Sequence, residues 1–173
     1  MEKNTNASRP ASDGARDLVK AGKYLTFLLG SEIYGIDIMK VQEIIGIMAI
    51  TRVPRTPSFI RGVINLRGKV IPVVDVRLKF GMDALESTGR SCVIVVRIYR
   101  NNSPVTTGLI VDSVSEVLDI RPDQIEDSPS FGENVNTDYI LGMGKCGDKV
   151  VMLLDIDRVL SREEISIVAQ AAN

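Results

Sequence analysis

A glycine-rich hexapeptide near the end of the chain is the first candidate for chemistry. Gly142, Gly144 and Gly147 have the G-x-G-x-x-G spacing that holds a dinucleotide pyrophosphate at the start of a helix. That use requires a helix after the glycines, whereas the apolar run 149–154 is typical of a strand. The pattern therefore predicts a hairpin turn and no cofactor, with a nucleotide-binding enzyme as an alternative.

Other groups that commonly carry chemistry are few. The chain contains no histidine, which removes the commonest general base and the commonest side-chain metal ligand. Cys92 and Cys146 lack the paired spacing of a zinc or redox site; Cys92 is interpreted as a buried hydrophobic residue, and the reactivity of Cys146 stays open. Asp75 and Asp155 each end an apolar run and are interpreted as helix N-caps, not as a catalytic pair. We therefore predict no catalytic residue, no metal site and no enzymatic activity.

Charge is divided unevenly along the chain, although the net charge is only −1. Residues 51–80 contain seven basic side chains and one acid, whereas residues 111–138 contain eight acids and one arginine. Opposite charges on two similar units favour head-to-tail association that closes into rings, unless the charges simply solvate two faces. Nucleic acid is not expected as a partner, because the chain has no tryptophan and aromatic residues make up only 5% of it.

Short β-strands must position these residues. Apolar runs of strand length recur at 24–29, 32–38, 44–50, 69–74, 91–99, 105–111, 116–120 and 149–154. Ser161 and Glu164 form a capping box that opens a C-terminal helix, and residues 1–20 are polar enough to predict a flexible tail. The apolar runs are too short to cross a bilayer and no secretory signal opens the chain, so we expect a cytoplasmic protein without membrane insertion.

Two stretches of the chain repeat. Residues 35–45 align with residues 108–118 at an offset of 73, and residues 60–76 align with residues 140–156 at an offset of 80. The first alignment keeps Gly, Val and Glu in order, and the second keeps Gly, Lys and Asp. We interpret the chain as two similar β-units with a shared core, typical of small barrels or a sandwich, because so small a unit is marginally stable alone.

Five stretches, in order, resemble a known family. They are YGIDIMKVQEI (34–44), TPSFIRGVINLRG (56–68), PVVDVR (72–77), GLIVDSV (108–114) and YILG (139–142). Together they strongly resemble the bacterial chemotaxis coupling protein family, CheW. The resemblance covers residues 21–165 as one domain, with a first β-unit at about 24–80 and a second at about 91–160, between which strands could be exchanged. Residues 166–173 would be the end of the C-terminal helix and a tail.

The resemblance implies a mainly β fold of two interlocked, SH3-like, five-stranded β-barrels with a short C-terminal helix. It implies a non-enzymatic adaptor, without cofactor or metal, that joins the cytoplasmic tips of methyl-accepting chemoreceptors to the regulatory domain of the histidine kinase CheA. In such arrays the adaptor and the kinase regulatory domain alternate in rings at the inner face of the membrane. A paralogous coupling protein of another chemosensory pathway, such as one for surface motility, is the alternative.

The resemblance also implies partner-binding residues, without dividing them between kinase and receptor. Ile38, Val41 and Glu43 lie in one matching segment and Arg67 in a second, while Phe131 matches an aromatic residue at a second kinase-facing surface. The residues themselves leave two alternatives open. Ile38 and Val41 could belong to the core, and Glu43 could pair with Arg67 inside the fold.

The repeat separates architecture from partner binding around Arg67. Lys69 and Asp75 of the first unit recur as Lys149 and Asp155 of the second. The position of Arg67, in contrast, is occupied by a glycine in the second unit. This difference favours a partner-specific role for the arginine.

Overall fold

The computed structural model describes residues 20–100, 102–128 and 137–171. Eleven strands and three α-helices lie in this part of the chain. The strands are β1 (Gly22–Leu29), β2 (Glu32–Asp37), β3 (Val41–Gly46), β4 (Ile60–Leu66), β5 (Lys69–Asp75), β6 (Cys92–Arg100), β7 (Ser103–Val111), β8 (Ser113–Ile120), β9 (Ile125–Glu126), β10 (Ile140–Cys146) and β11 (Lys149–Leu154). The helices are α1 (Val76–Lys79), α2 (Ile156–Val159) and α3 (Arg162–Ala171), and short 3-10 turns occupy Ile38–Lys40 and Pro122–Gln124.

The strands form two sheets, which we call the first barrel and the second barrel. Their strand orders are β3-β6-β7-β5-β4 and β8-β1-β2-β11-β10-β9. Each barrel contains a hairpin from the other half of the chain, since β6 and β7 lie in the first barrel and β1 and β2 lie in the second. The inserted hairpins join their barrels through parallel pairing of β7 with β5 and of β2 with β11. The mainly β fold of two interlocked barrels is therefore confirmed, and the second barrel also contains the two-residue β9.

The strand register reproduces the repeat found in the sequence. The β4–β5 ladder shifts register just before Gly62, and the β10–β11 ladder shifts register just before Gly142. Both positions exclude a side chain: an added Cβ would lie 2.1 Å from the Thr51 carbonyl oxygen at Gly62 and 2.9 Å from the Glu126 carbonyl oxygen at Gly142. The two barrels are thus built on the same local geometry.

The two aspartates that end apolar runs are N-caps, as predicted. The Asp75 carboxylate accepts a hydrogen bond from the Leu78 N–H at 3.2 Å, at the start of α1. The Asp155 carboxylate accepts one from the Asp157 N–H at 3.1 Å, at the start of α2. Each satisfies a backbone donor that a four-residue helix leaves unpaired.

The glycine-rich hexapeptide belongs to a hairpin, but the prediction that it is the turn is correct only for its last residue, since the first five lie in β10. Gly142 and Gly144 lie in β10, Gly147 has a φ of 62° in the following turn, and β11 comes next. Because a strand and not a helix follows, no helix N-terminus faces these glycines, and the pyrophosphate-binding geometry is not formed.

The predicted C-terminal helix is α3. The Ser161 hydroxyl accepts a hydrogen bond from the Glu164 N–H at 3.1 Å, and the Glu164 carboxylate accepts one from the Ser161 N–H at 2.8 Å. This capping box confirms the start of the helix. Within the described residues, no helix combines the length and the apolar composition needed to span a membrane.

One apolar cluster is shared by both barrels. Its fully buried members include Phe27 and Ile36 of the second barrel and Ile94 and Leu109 of the first. The α3 helix adds Val168 to the same cluster. Removing either inserted hairpin would therefore open the core of both barrels. The tail expected at 1–20 lies outside the described residues, except for Lys20.

Candidate functional site

Arg67 lies at the tip of the β4–β5 hairpin. Arg67 and Gly68 have φ values of 51° and 87°, as the two central residues of a type I′ turn require. The Asn65 side-chain carbonyl accepts a hydrogen bond from the Gly68 N–H at 2.8 Å and closes the turn. A positive φ is unfavourable for a residue with a Cβ atom, by about 1–2 kcal/mol. The turn thus carries its arginine in spite of the local backbone preference.

Glu43 on β3 is the internal partner of Arg67. Its carboxylate accepts a hydrogen bond from the Arg67 guanidinium, which ties β3 to the β4–β5 turn, at opposite edges of the first barrel's sheet. The Arg67 side chain is 70% exposed and the Glu43 side chain is 30% exposed. The hydrogen bond from Arg67 lowers the pKa of Glu43, and the carboxylate raises the pKa of Arg67. The internal pair that the sequence left open is present, yet most of the guanidinium still faces solvent.

Ile38 is the first residue of the 3-10 turn, and Val41 is the first residue of β3, which follows that turn. Both are partly buried against the shared core, and the Asp37 carboxylate caps the turn by accepting a hydrogen bond from the Met39 N–H at 2.9 Å. The alternative that these two residues belong to the core is therefore correct in part, since each keeps some exposed surface. Four of the predicted residues are thus neighbours, three along the chain and Arg67 through its hydrogen bond to Glu43. We call this group the β3 surface: Ile38, Val41, Glu43 and Arg67.

Two exposed apolar side chains lie near the β3 surface, and the sequence analysis missed them. One of them, Ile44, points to the opposite face of β3 from Glu43. Met39 is 85% exposed in the 3-10 turn, and Ile44 is 45% exposed on β3. At the repeat offset of 73, Ile44 corresponds to Val117 on β8, which is also exposed. The exposure of Ile44 could have been predicted from strand alternation. Glu43 and Ile45 are the more buried positions of β3, so Ile44 between them faces outward.

The second barrel has no equivalent of the Glu43–Arg67 pair. Glu116 on β8 corresponds to Glu43, but Gly147 occupies the position of Arg67, and no described cation forms an ion pair with Glu116. Burial, and then the charge of Glu116, raises the pKa of the Cys146 thiol, so Glu116 lies near this turn. Burial likewise raises the pKa of the Cys92 thiol. Both thiols therefore stay protonated at neutral pH, which argues against the reactive role left open for Cys146.

Internal ion pairs occupy much of the basic segment 51–80. Arg77 pairs with Asp112 at 2.7 Å, and Lys79 pairs with Glu164 at 2.7 Å. Because Asp112 comes from the acidic segment 111–138, the two segments partly neutralise each other inside the molecule. Three basic side chains of the first segment have no ion-pair partner among the residues that the structure describes: Arg52, Arg55 and Lys69.

Two remaining predictions concern Phe131 and metal ions. Phe131 lies outside the described residues, so its surface stays a prediction. In the described ranges, no group of three or more cysteine, aspartate or glutamate side chains could hold a metal ion. The β3 surface combines apolar side chains with an exposed ion pair, a composition that is common at protein interfaces.

Known proteins are similar to this chain in sequence and in fold. Residues 23–164 match the CheW-like domain. The chain is 41% identical over 150 residues to the chemotaxis protein CheW of Klebsiella aerogenes, an alignment that covers 87% of this chain and 88% of that protein. It is 32% identical over 160 residues to the chemotaxis protein CheW of Rhizobium meliloti, covering 92% of this chain and 97% of that protein.

A solved structure agrees with these relatives. The fold is similar to the crystal structure of the scaffolding protein TtCheW from Thermoanaerobacter tengcongensis, with a TM-score of 0.72 and 36% sequence identity. The similarity covers 83% of this chain and 97% of that chain. Both barrels are included in the matched residues. The chain therefore belongs to the CheW family of chemotaxis proteins, which are scaffold and adaptor proteins and not enzymes.

Proposed function

We propose that this chain is the adaptor that couples methyl-accepting chemoreceptors to the histidine kinase CheA. It binds the regulatory domain of the kinase and the cytoplasmic tips of the receptors, at the inner face of the membrane, and supports receptor control of kinase autophosphorylation. The observation that carries the proposal is the family match, which runs through both barrels at residues 23–164. Relatives named chemotaxis protein CheW align with the chain over most of their length.

The β3 surface supports the proposal by its composition. Protein interfaces place apolar anchors inside a polar rim, and here Ile38, Val41 and the exposed Met39 lie beside the Glu43–Arg67 pair. The surface lies on sheet edges fixed by the ion pair and by the shared core. A pre-formed surface of this kind loses little conformational entropy when a partner binds.

The repeat supports assembly with two neighbours at once. Ile44 and Glu43 on β3 correspond to Val117 and Glu116 on β8, so each barrel presents an apolar side chain and a carboxylate at an edge strand. Two similar but unequal surfaces on one molecule suit a heterologous contact that closes into a ring with kinase regulatory domains. By the family resemblance, we also propose that Phe131 contributes to a second kinase-facing surface.

Reconstitution with receptor tips and the kinase tests the proposed function. We expect the wild-type chain to bind the isolated regulatory domain and to change the rate of kinase autophosphorylation in the presence of receptor tips. Arg67→Ala should weaken binding by about fivefold or more, as truncation of an interface hot spot does. Arg90→Ala, which removes another exposed arginine, is the matched control and should bind normally. A wild-type chain that neither binds the regulatory domain nor alters autophosphorylation would contradict the proposal.

Glu43→Gln separates a direct role of Arg67 from a structural one. This substitution removes the carboxylate but leaves the guanidinium at the tip of the turn. If Arg67 contacts the partner, Glu43→Gln should keep most of the binding that Arg67→Ala loses. Equal losses of binding in the two variants, together with equal losses of stability, would assign Arg67 to the fold and not to the interface.

A further inference from the structure

A cavity lined by arginines lies in the loop between β3 and β4. Its volume is about 340 Å³, and it is bounded by residues from the range 50–61. Arg52, Arg55 and Arg61 line it, and none of its lining residues is acidic. Arg52 and Arg55 have no ion-pair partner in the described ranges, and Arg61 lies 3.9 Å from Asp75, which is too far for a hydrogen bond. The cavity is also separate from the β3 surface, because none of the four residues of that surface lines it.

Hydrogen bonds hold the first half of the loop that forms the cavity, from Thr51 to Thr56. Thr51 and Val63 exchange two backbone hydrogen bonds of 2.8 Å, which fasten the start of the loop to β4. The Thr56 hydroxyl donates a hydrogen bond to the Val53 carbonyl at 2.9 Å and closes the turn between them. The arginines therefore project from a framework that exists before any ligand binds.

The backbone at Arg55 is unfavourable for an arginine. Pro54 and Arg55 are the central residues of the turn, and Arg55 has a φ of 60°. A turn with proline first and a positive φ second is of type II, and glycine or asparagine is preferred at the second position. Turn geometry alone thus gives no reason for an arginine, whereas a role for its guanidinium does.

Arg61 is directed to the cavity by the irregularity of β4. The ladder shifts register just before Gly62, and such bulges turn the neighbouring side chain away from its regular direction. The equivalent bulge of the second barrel carries Leu141, and the Glu126 carboxylate of the preceding strand there pairs with Lys145 at 2.7 Å. The group of three arginines is therefore a property of the first barrel and does not follow from the shared fold.

We propose that this cavity binds a phosphate-bearing anion, held by the guanidinium groups of Arg52, Arg55 and Arg61. A guanidinium presents a planar pair of donors that matches phosphate oxygens and binds them in a bidentate manner. The two unpaired charges of Arg52 and Arg55, with the charge of Arg61 partly offset by Asp75 at 3.9 Å, suit a diphosphate better than the single charge of a peptide carboxylate. A diphosphate group fits within the cavity of about 340 Å³. Its source is a free phosphate compound or the headgroup of a membrane lipid, and both present the same chemistry to the arginines.

Pyrophosphate and lipid vesicles are the probes that test this site in the full-length chain. Pyrophosphate binding is measured by titration calorimetry, and binding to phosphatidylcholine vesicles with and without phosphatidylglycerol is measured by co-sedimentation. The test variant is Arg52→Gln combined with Arg55→Asn, because asparagine tolerates the positive φ at position 55. The control is Lys69→Gln combined with Lys149→Gln, which removes the same charge from two exposed lysines outside the cavity.

We expect saturable binding to the wild type that is weakened about tenfold or more in the arginine variant and retained in the lysine control. Binding of pyrophosphate with this pattern assigns the site to a free phosphate compound, and binding of phosphatidylglycerol vesicles alone assigns it to a lipid headgroup. Equal losses in both variants would show non-specific charge attraction and overturn the proposal. Saturable binding of neither probe, or of a polyglutamate peptide in their place, would overturn it as well.

Discussion

At the level of single residues, Glu43 and Arg67 show how one contact serves the fold and leaves a surface open. The pair joins two edges of the first barrel, but the arginine is more exposed than the glutamate, 70% against 30%. Exposed ion pairs contribute little to stability because water and salt screen them. The pair is therefore expected to add little stability, and its visible effect is the lowered pKa of Glu43.

Arg67→Ala should raise the pKa of Glu43 toward its ordinary value, because the hydrogen bond from Arg67 is the main cause of the lowering. A carboxyl whose pKa is lowered by folding stabilises the folded state above its unfolded pKa. This stabilisation is lost as the pH falls through the folded pKa. The small stability difference between wild type and variant should thus be present at neutral pH and disappear in acid. NMR titration of the Glu43 side chain measures the shift, and an unchanged pKa in the variant would contradict the assignment.

At the level of elements, the bulged hairpins β4–β5 and β10–β11 define the shared geometry of the barrels. Each bulge contains a glycine against which a backbone carbonyl packs. A position where the backbones approach closely, or where φ is positive, favours glycine. The bulges therefore tolerate a side chain only where there is space for its Cβ atom. The hairpin tips are freer than the bulges, since an added Cβ at Gly147 meets no atom within 4 Å.

Gly62→Ala should destabilise the protein strongly. The new Cβ would lie 2.1 Å from the Thr51 carbonyl oxygen, and the φ of 140° is unfavourable for alanine. Steric overlap and backbone strain together suggest a loss of about 3 kcal/mol in the free energy of unfolding. Gly46→Ala on β3 is the control, because its Cβ meets nothing within 4 Å, and it should change stability by less than about 1 kcal/mol. Urea denaturation measures both, and equal effects would refute the steric argument.

Gly147→Arg should install the missing ion pair of the second barrel. Gly147 has a φ of 62°, close to the 51° of Arg67, so an arginine there would adopt the same turn and reach Glu116. Because the charge of Glu116 helps to raise the pKa of Cys146, pairing Glu116 with a positive charge should lower the pKa of that thiol.

The pH dependence of Cys146 alkylation in a Cys92→Ser background measures the effect of Gly147→Arg. Gly147→Ala is the matched control, since it imposes the same backbone strain without the charge. If the alkylation of Cys146 showed the same pH dependence in Gly147→Arg and Gly147→Ala, the turns at Arg67 and Gly147 would not be equivalent.

At the level of the whole molecule, the exchange of hairpins makes one folding unit from two similar halves. The hairpins β1–β2 and β6–β7 each complete the barrel of the other half, and both contribute to the shared core. Neither half has a complete sheet of its own, so the adaptor presents its two edge surfaces in a fixed relation. A fixed relation is what a scaffold needs if it is to hold two partners in register.

Fragments that separate the halves, 20–89 and 90–171, should be unfolded when alone. Each would lack one hairpin of its barrel and would expose apolar residues such as Phe27 or Ile94, which are fully buried in the intact chain. Mixing the two fragments should restore the fold, because together they supply every strand. Circular dichroism and NMR spectra of each fragment and of the mixture provide the measurement. Cooperative unfolding of either fragment by itself would contradict the interlocked architecture as the source of stability.

Much of this fold follows from local patterns in the sequence. The strand runs, the caps at Asp75 and Asp155 and the turn at Gly147 depend on interactions between residues close together in the chain. The repeat and the family resemblance extend these local signals to the fold class. These strands, caps and turns can be predicted from the sequence because strand propensity, helix capping and φ preference each depend on a few neighbouring residues.

The tertiary structure alone decided which hairpin enters which barrel and which charges remain unpaired. The parallel pairing of β2 with β11 joins residues more than 100 positions apart, and no local pattern encodes that choice. The partners of Arg67 and Arg77 likewise depend on how the sheet edges meet. The sequence by itself indicated eight of the eleven described strands and the family, but it missed β4, β9 and β10. The surfaces proposed for partner binding arise from the packing of the two barrels, which brings distant residues together around one shared core.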